Sequence, residues 1–200
     1  MHVDEAWLVL DKPAGLLAVP GRGEAGRDNL ASRAQALHAN ALVVHRLDMS
    51  TSGLLVMALG AQVQSLLNKA FAKRQVHKRY VALVEGEVQG ASGEIDAPLA
   101  ADWPNRPRQV VDTARGKPSL TRWLVLDRGA GFTRLALEPI TGRSHQLRVH
   151  LQSIGHPIMG DDLYSPAADQ YPRLMLHACR LQLDHPHSGL PCTFVSPVPF

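Results

Sequence analysis

The stretch SLTRWLVLDRGAGFTRLALEP, Ser119 to Pro139, reads as two strands, SLTRWLVLDR and GFTRLALEP, joined through Gly129 to Gly131. So short a connection makes the two strands antiparallel neighbours, because parallel strands need a crossover of about a dozen residues or more. Working outward, HKRYVALVEGEV has the β-branched and aromatic content of a strand. Trp7 to Leu10, the LLVMA run from Leu54, LMLHACRLQLDHP and PCTFVSP read the same way. The segment Gly93 to Lys117, with its Gly, Pro and Asn, reads as short strands and loops.

Helical periodicity is confined to three places. Asn29 to His38 forms a short helix. From Ala61 the apolar residues Val63, Leu66, Leu67, Ala70 and Phe71 recur at three-and-four spacing, which predicts an amphipathic helix ending near Gln75. In ITGRSHQLRVHLQSIGHPIMGD, Thr141 or Ser144 is expected to cap a helix whose inner face is Leu147, Leu151 and Ile154. Gly155 suits the left-handed position after its end, and Pro157 lies just beyond. Strands outnumber helices and hairpins outnumber crossovers. The fold class is therefore α+β, a mainly antiparallel mixed sheet with flanking helices.

Two hundred residues with 45% hydrophobic content fit one domain over 1–200, large enough to fold without disulfides or metal. The two cysteines, Cys179 and Cys192, have no second pair to complete a zinc site and read as reduced thiols, which favours a cytoplasmic location. MHVDEAWLVL carries acids where a signal peptide carries Lys or Arg, and the apolar run Leu54 to Leu59 is far too short to span a bilayer. No membrane role is expected.

The formal charge is only +3, but it is segregated. Gln62 to Val84 holds Lys69, Lys73, Arg74, Lys78 and Arg79 and no acid; Arg106 to Lys117 holds Arg106, Arg108, Arg115 and Lys117 against Asp112 alone. Pro139 to Gly160 is again acid-free and carries Arg143, His145 and Arg148. Any one window fits a solvated helix face; three together point to a polyanion, and so to nucleic acid.

In HRLDMSTSGLL, His45 to Leu55, Asp48 follows Arg46 at a spacing that puts both on one face of an extended segment. Thr51, Ser52 and Gly53 read as a polar turn before the next strand, so Asp48 falls on a loop at a strand's edge, where reactive groups are often placed. An ion-paired structural acid is the competing reading. Arg143, just before the third helix, stands where unpaired N–H groups and a positive dipole end receive anions, whether phosphate or a carboxylate such as Asp48. His145 and His150 are five apart with no Cys or carboxylate beside them, so no metal site is expected. Neither a phosphate-binding glycine loop nor a GxSxG nucleophile turn occurs.

HRLDMSTSGLL, KRYVALVEG, ITGRSHQLRVHLQSIGHPIMGD and LMLHA, in that order, closely resemble the motifs of the RluA-type pseudouridine synthases. DKPAGLLAVPG resembles that family's first motif, with Asp11 where asparagine is more usual. DWPNRPRQ followed by GKPSLTRW is most similar to the RluA subgroup, which acts on a uridine of the tRNA anticodon stem-loop and on one in a 23S rRNA hairpin. The resemblance implies a pseudouridine synthase fold with a central catalytic cleft, no cofactor and no metal. It implies Asp48 as the catalytic aspartate, Tyr80 as the active-site tyrosine, Arg143 as the arginine paired with the aspartate, and Arg46 as the arginine that enters the RNA stack when the target base leaves. The basic set Lys69, Lys73, Arg74, Lys78, Arg79, Arg106, Arg108, His145 and Arg148 is then expected to hold RNA. No N-terminal S4 domain precedes Trp7, so one catalytic domain is expected to bind RNA by itself, as a monomer without an obligatory protein partner. A silent RNA-binding module, and a hydrolase built on Asp48 and His45 or His145, are the rival readings.

Overall fold

The computed structural model describes residues 1–200, the side chain of Ala25 excepted. Along the chain run β1 (His2–Val3), β2 (Trp7–Lys12), α1 (Leu30–Leu37), β3 (Ala41–Val43), β4 (Ser52–Leu59), α2 (Ala61–Ala72), β5 (His77–Glu85), β6 (Ser92–Asp96), β7 (Leu99–Ala101), β8 (Gln109–Val111), β9 (Leu120–Gly129), β10 (Phe132–Pro139), α3 (Gln146–Ser153), β11 (Leu176–Asp184) and β12 (Pro191–Val195). Every named strand pair whose register is described is antiparallel. The α+β class read from the sequence is what the chain adopts. It forms two compact units, residues 1–78 with 178–199, and residues 79–177 with Phe200.

In the first unit, β2 pairs with β1 and β4, β3 also pairs with β4, and β11 pairs with β12. Trp7, Val9, Leu54, Val56 and Ala58 meet Val63 and Leu67 of α2 and Leu181 and Leu183 of β11 in one core. Burying side chains of this size is worth roughly 1.5–3 kcal/mol each, which is what holds α2 to the sheet. Leu66, expected on the inner stripe of α2, is 38% exposed; Ala70 and Phe71 border the core. Helix α1 falls within the expected span 29–38, and Asn29 caps its start, its Oδ1 accepting from Ser32 N at 2.9 Å. Gly53 lies within β4 rather than in a turn before it. With φ +111°, a Cβ there would come 2.4 Å from the Ala178 carbonyl oxygen. Only glycine lets the backbone of β11 approach this closely.

In the second unit the order is β5, β10, β9, β6, and β7 pairs with β8 as a separate hairpin. β9 and β10 are the two strands of the opening stretch, paired from Phe132 opposite Gly129 to Pro139 opposite Thr121. Inward residues alternate along β10: Thr133, Leu135, Leu137 and Pro139 are buried. Leu135 and Leu137 join Ala82 and Val84 of β5 and Leu147 and Leu151 of α3 in the second core. The expected helix is present, but neither Thr141 nor Ser144 caps it. His145 occupies the cap position in the left-handed region at φ +54°, without a side-chain cap bond. Thr141 is instead spent on Gln146 Oε1 at 2.7 Å and on accepting from Leu120 N at 2.9 Å. Gly155, at φ +83°, ends the helix as predicted, while Ile154 is 39% exposed and off its inner face.

Candidate active site

Asp48 lies in an irregular segment that follows β3 and is closed by a turn, with Thr51 N donating to the Asp48 carbonyl at 3.1 Å. Three successive side chains divide the work: Arg46 is exposed, Leu47 is buried, and Asp48 is half-buried. Leu47 therefore anchors the loop while its charged neighbours stay near solvent. The loop is also gripped from the DKPAGLL segment. Lys12 is fully buried, and its Nζ donates to the carbonyls of Leu16 at 2.7 Å, Pro13 at 2.9 Å and Met49 at 2.9 Å. Gly15 N donates to the same Met49 carbonyl at 2.9 Å. A buried ammonium is tolerable only when its donors are met, and here backbone carbonyls of two loops meet them. Sequence reading passed over Lys12; its signal was a lysine at the end of an apolar strand, where a charge is out of place.

His45 is held as a neutral ring. Its Nε2 accepts from Val56 N at 3.1 Å, and it stacks on Phe71 with centroids 4.7 Å apart. Burial, with the nearby charge of Lys78, pushes its pKa down to about 3. A nitrogen already committed to a backbone N–H and this reluctant to take a proton is no general base at neutral pH. The hydrolase reading loses one of its two histidines here.

The basic residues of α2 and its end, Lys69, Lys73 and Arg74, are exposed, as is Arg79 on β5. Lys78 is half-buried and its pKa is lowered by burial. Arg74 takes φ +58°, the left-handed position after α2 where glycine is usual.

In the second unit Tyr80 is half-buried on β5, packed against the core and opposite Leu137 of β10. The GRSHQLR segment is organised by Gln146, 3% exposed. Its Oε1 receives Thr141 Oγ1 and Arg143 N, and its Nε2 donates to Leu120 O and Thr121 Oγ1. Arg143 is exposed, and its guanidinium reaches the Pro118 carbonyl at 3.4 Å. Arg148 differs from its expected place on a basic face. It is 3% exposed, with Nε on Asp161 Oδ2 at 2.8 Å and Nη2 on Asp161 Oδ1 at 2.6 Å and Asp162 Oδ1 at 2.9 Å. The helical period explains this: Leu147, Arg148 and Leu151 share the inward side of α3, and a forked carboxylate makes the inward arginine tolerable.

His145 Nδ1 lies 2.8 Å from the hydroxyl of buried Tyr164, which accepts from Gln109 N at 2.8 Å. The hydroxyl is thereby held between a backbone N–H and an imidazole nitrogen. Burial raises the Tyr164 pKa. The guanidinium of Arg108 lies over the Tyr164 ring at 5.4 Å, so Arg108 is half-buried, while Arg106 is exposed and stacks on Trp103. Among the described residues, no group of three His, Cys, Asp or Glu side chains is placed to hold a metal ion, and no helix is long and apolar enough to cross a membrane.

The sequence profile described as RNA pseudouridylate synthase matches residues 6–153, a span that takes in Lys12, the Asp48 loop, Tyr80 and GRSHQLR. The chain belongs to that family. The synthase is 48% identical to the dual-specificity RNA pseudouridine synthase RluA of Salmonella typhi, across 100% of its own length and 93% of that relative's. It is 48% identical to the protein of that name from Vibrio cholerae, covering 97% and 82% of the two chains. Its backbone is similar to that of human RNA pseudouridylate synthase domain containing 1, with TM-score 0.84 and 29% identity over 100% of this chain and 82% of that one. The synthase is thus an isomerase of the RluA subgroup that converts uridine in RNA to pseudouridine.

Proposed function

We propose that this synthase acts on uridines presented in stem-loops, that of the tRNA anticodon arm and a hairpin of 23S rRNA, as a cytoplasmic monomer. The observation that carries this reading is the near full-length 48% identity to enzymes named dual-specificity. The reaction breaks the bond from N1 to C1′, turns the uracil, joins C5 to C1′, and moves the C5 proton to solvent while N1 gains one. A stacked, paired base cannot turn, so it must be extruded at a cost of a few kcal/mol. Arg46, exposed two residues before Asp48, is suited to fill the vacated stack with its planar cation. Asp48 supplies the reactive carboxylate. Attack at C1′, attack at C6, and removal of the C2′ proton toward a glycal are all open to it. Tyr80 offers a ring to the uracil and a hydroxyl toward C5.

GRSHQLR supplies the guanidinium of the reaction. Burial and a fixed forked partner support Arg148 for that part, since a group acting away from water must be oriented beforehand. Exposure suits Arg143 to a phosphate instead. Lys69, Lys73, Arg74, Lys78, Arg79, Arg106, Arg108 and His145 line the remaining contacts to the RNA, with salt-dependent binding as the signature.

The test is tritium release from stem-loops labelled at uridine C5, together with a search for missing pseudouridines in tRNA and 23S rRNA of a strain lacking the protein. Asp48→Asn is expected to abolish release while keeping RNA binding. Intact pseudouridines in both RNAs would refute the substrate assignment, and turnover by Asp48→Asn would remove that residue from the chemistry.

A further inference from the structure

Trp103, in the DWPNRPRQ segment, has been given no role so far. Trp103 sits at the tip of the β7–β8 hairpin and is 68% exposed, whereas Trp7 is fully buried and Trp123 lies over Gly93. An indole is large and mostly apolar, so leaving it in water has a cost that packing would ordinarily remove. The guanidinium of Arg106 lies 3.3 Å from the Trp103 ring centroid. One face of the indole is thus covered by a planar cation, and the exposed area belongs to the rest of the ring.

The tip is not a loose loop. Asp102 N donates to Arg108 O at 3.0 Å, Asn105 N to Asp102 O at 3.1 Å, and Arg108 N to Asn105 O at 3.0 Å. Asn105 Nδ2 bridges both oxygens of the Asp102 carboxylate at 3.1 and 3.0 Å. Pro104 and Pro107 further restrict the backbone. At its base the hairpin is pinned by the bond from Gln109 N to Tyr164 OH, and Tyr164 also meets His145. The indole is therefore carried on a fixed arm from the GRSHQLR segment, and little conformational entropy remains to be lost when something stacks on it.

The surrounding charge favours a polyanion. Arg106, Arg108, Arg115 and Lys117 share this segment with Asp102 and Asp112, whose carboxylates are already engaged by Asn105 and Arg115. A ring with one cationic side, in a basic setting, on an enzyme that binds RNA, matches a nucleobase better than an apolar protein side chain.

We infer that Trp103, backed by Arg106, is a stacking platform for one unpaired base of the RNA loop other than the target uridine. It rests on the stem-loop reading above and deepens it, because recognition of folded RNA depends on splayed loop bases meeting aromatic planes.

Three measurements test it. Tryptophan emission should be quenched when the wild-type protein is titrated with a stem-loop, and the quench should vanish in Trp103→Phe although that variant still binds. Trp103→Ala should weaken binding and raise KM by on the order of 5- to 150-fold, with kcat retained at saturating RNA. Replacing loop nucleotides one at a time by abasic residues should reveal one position that reproduces this loss with the wild-type protein and adds nothing in Trp103→Ala. The inference is overturned if RNA binds without quench, or if Trp103→Ala binds as tightly as wild type. Absence of tritium release from either RNA class would refute the substrate reading while binding and quench still decide the platform; failure of the wild type to bind any stem-loop would refute both.

Discussion

Lowering the pH from 7.5 to 5 should cost the fold about 2 kcal/mol through His45 alone. The folded ring resists protonation down to about 3, against an ordinary value of 6.5, because it is buried beside Lys78 and already accepts from Val56 N. Between those two values the unfolded chain takes up a proton that the folded chain refuses. The unfolded state therefore binds more protons, and stability falls as pH falls. The loss begins near 6.5, proceeds at about 1.4 kcal/mol per pH unit, and ends near 3. Urea unfolding of wild type and His45→Gln at pH 7.5, 6 and 5 separates this contribution from the other titrating groups; glutamine keeps an acceptor for Val56 N but does not titrate. The wild type should lose about 2 kcal/mol more than the variant across this range. Equal losses would refute the reasoning. So would imidazole NMR shifts showing His45 protonated in the folded protein at pH 5, a readout that does not depend on the variant's folding.

Arg143→Met should keep kcat at saturating RNA while weakening binding; a collapse of kcat with binding intact would return the catalytic guanidinium to Arg143. Asp161→Asn should destabilise the fold by roughly 3–5 kcal/mol, because it leaves the Arg148 charge buried against half its partner; a melting temperature within a degree or two of wild type would contradict the buried pair. Arg74→Gly should raise stability by about 0.5–1 kcal/mol in urea titration by relieving φ +58°, and should weaken RNA binding through the lost charge.

The hairpin of β9 and β10, the amphipathic stripe of α2 and the glycine end of α3 were all legible in the sequence, because each is set by local periodicity or by one residue's backbone freedom. The start of α3 was not. Thr141 and Ser144 have the right chemistry for a cap, but Gln146 draws Thr141 into a network with Leu120 and Thr121 of a distant strand. Long-range partners of that kind leave no mark in nearby sequence. Ser52 and Gly53, read as a turn, extend β4 because Gly53 admits the backbone of β11, a contact between residues 53 and 178. At the candidate site, charge counting identified where arginines cluster but not which way they face. Arg143 and Arg148 are five apart in one acid-free window, yet one is exposed and the other lies in the core with Asp161, thirteen residues further on. Trp103 was visible as an aromatic in a proline-rich loop, and only its exposure and the guanidinium on its face give it a use.

The carbonyl oxygens of Pro13, Leu16 and Met49 converge on Lys12 Nζ much as such oxygens converge on a potassium ion in a protein cage. Here the cation is tethered to the chain and can neither exchange with the medium nor be diluted out. The seat of Asp48 is thereby insulated from the ionic composition of the cell, while the grip on the phosphates is not. Rising salt should loosen the enzyme's hold on its substrate without blunting the carboxylate's aim, so the two halves of its task answer to different variables of the same solution.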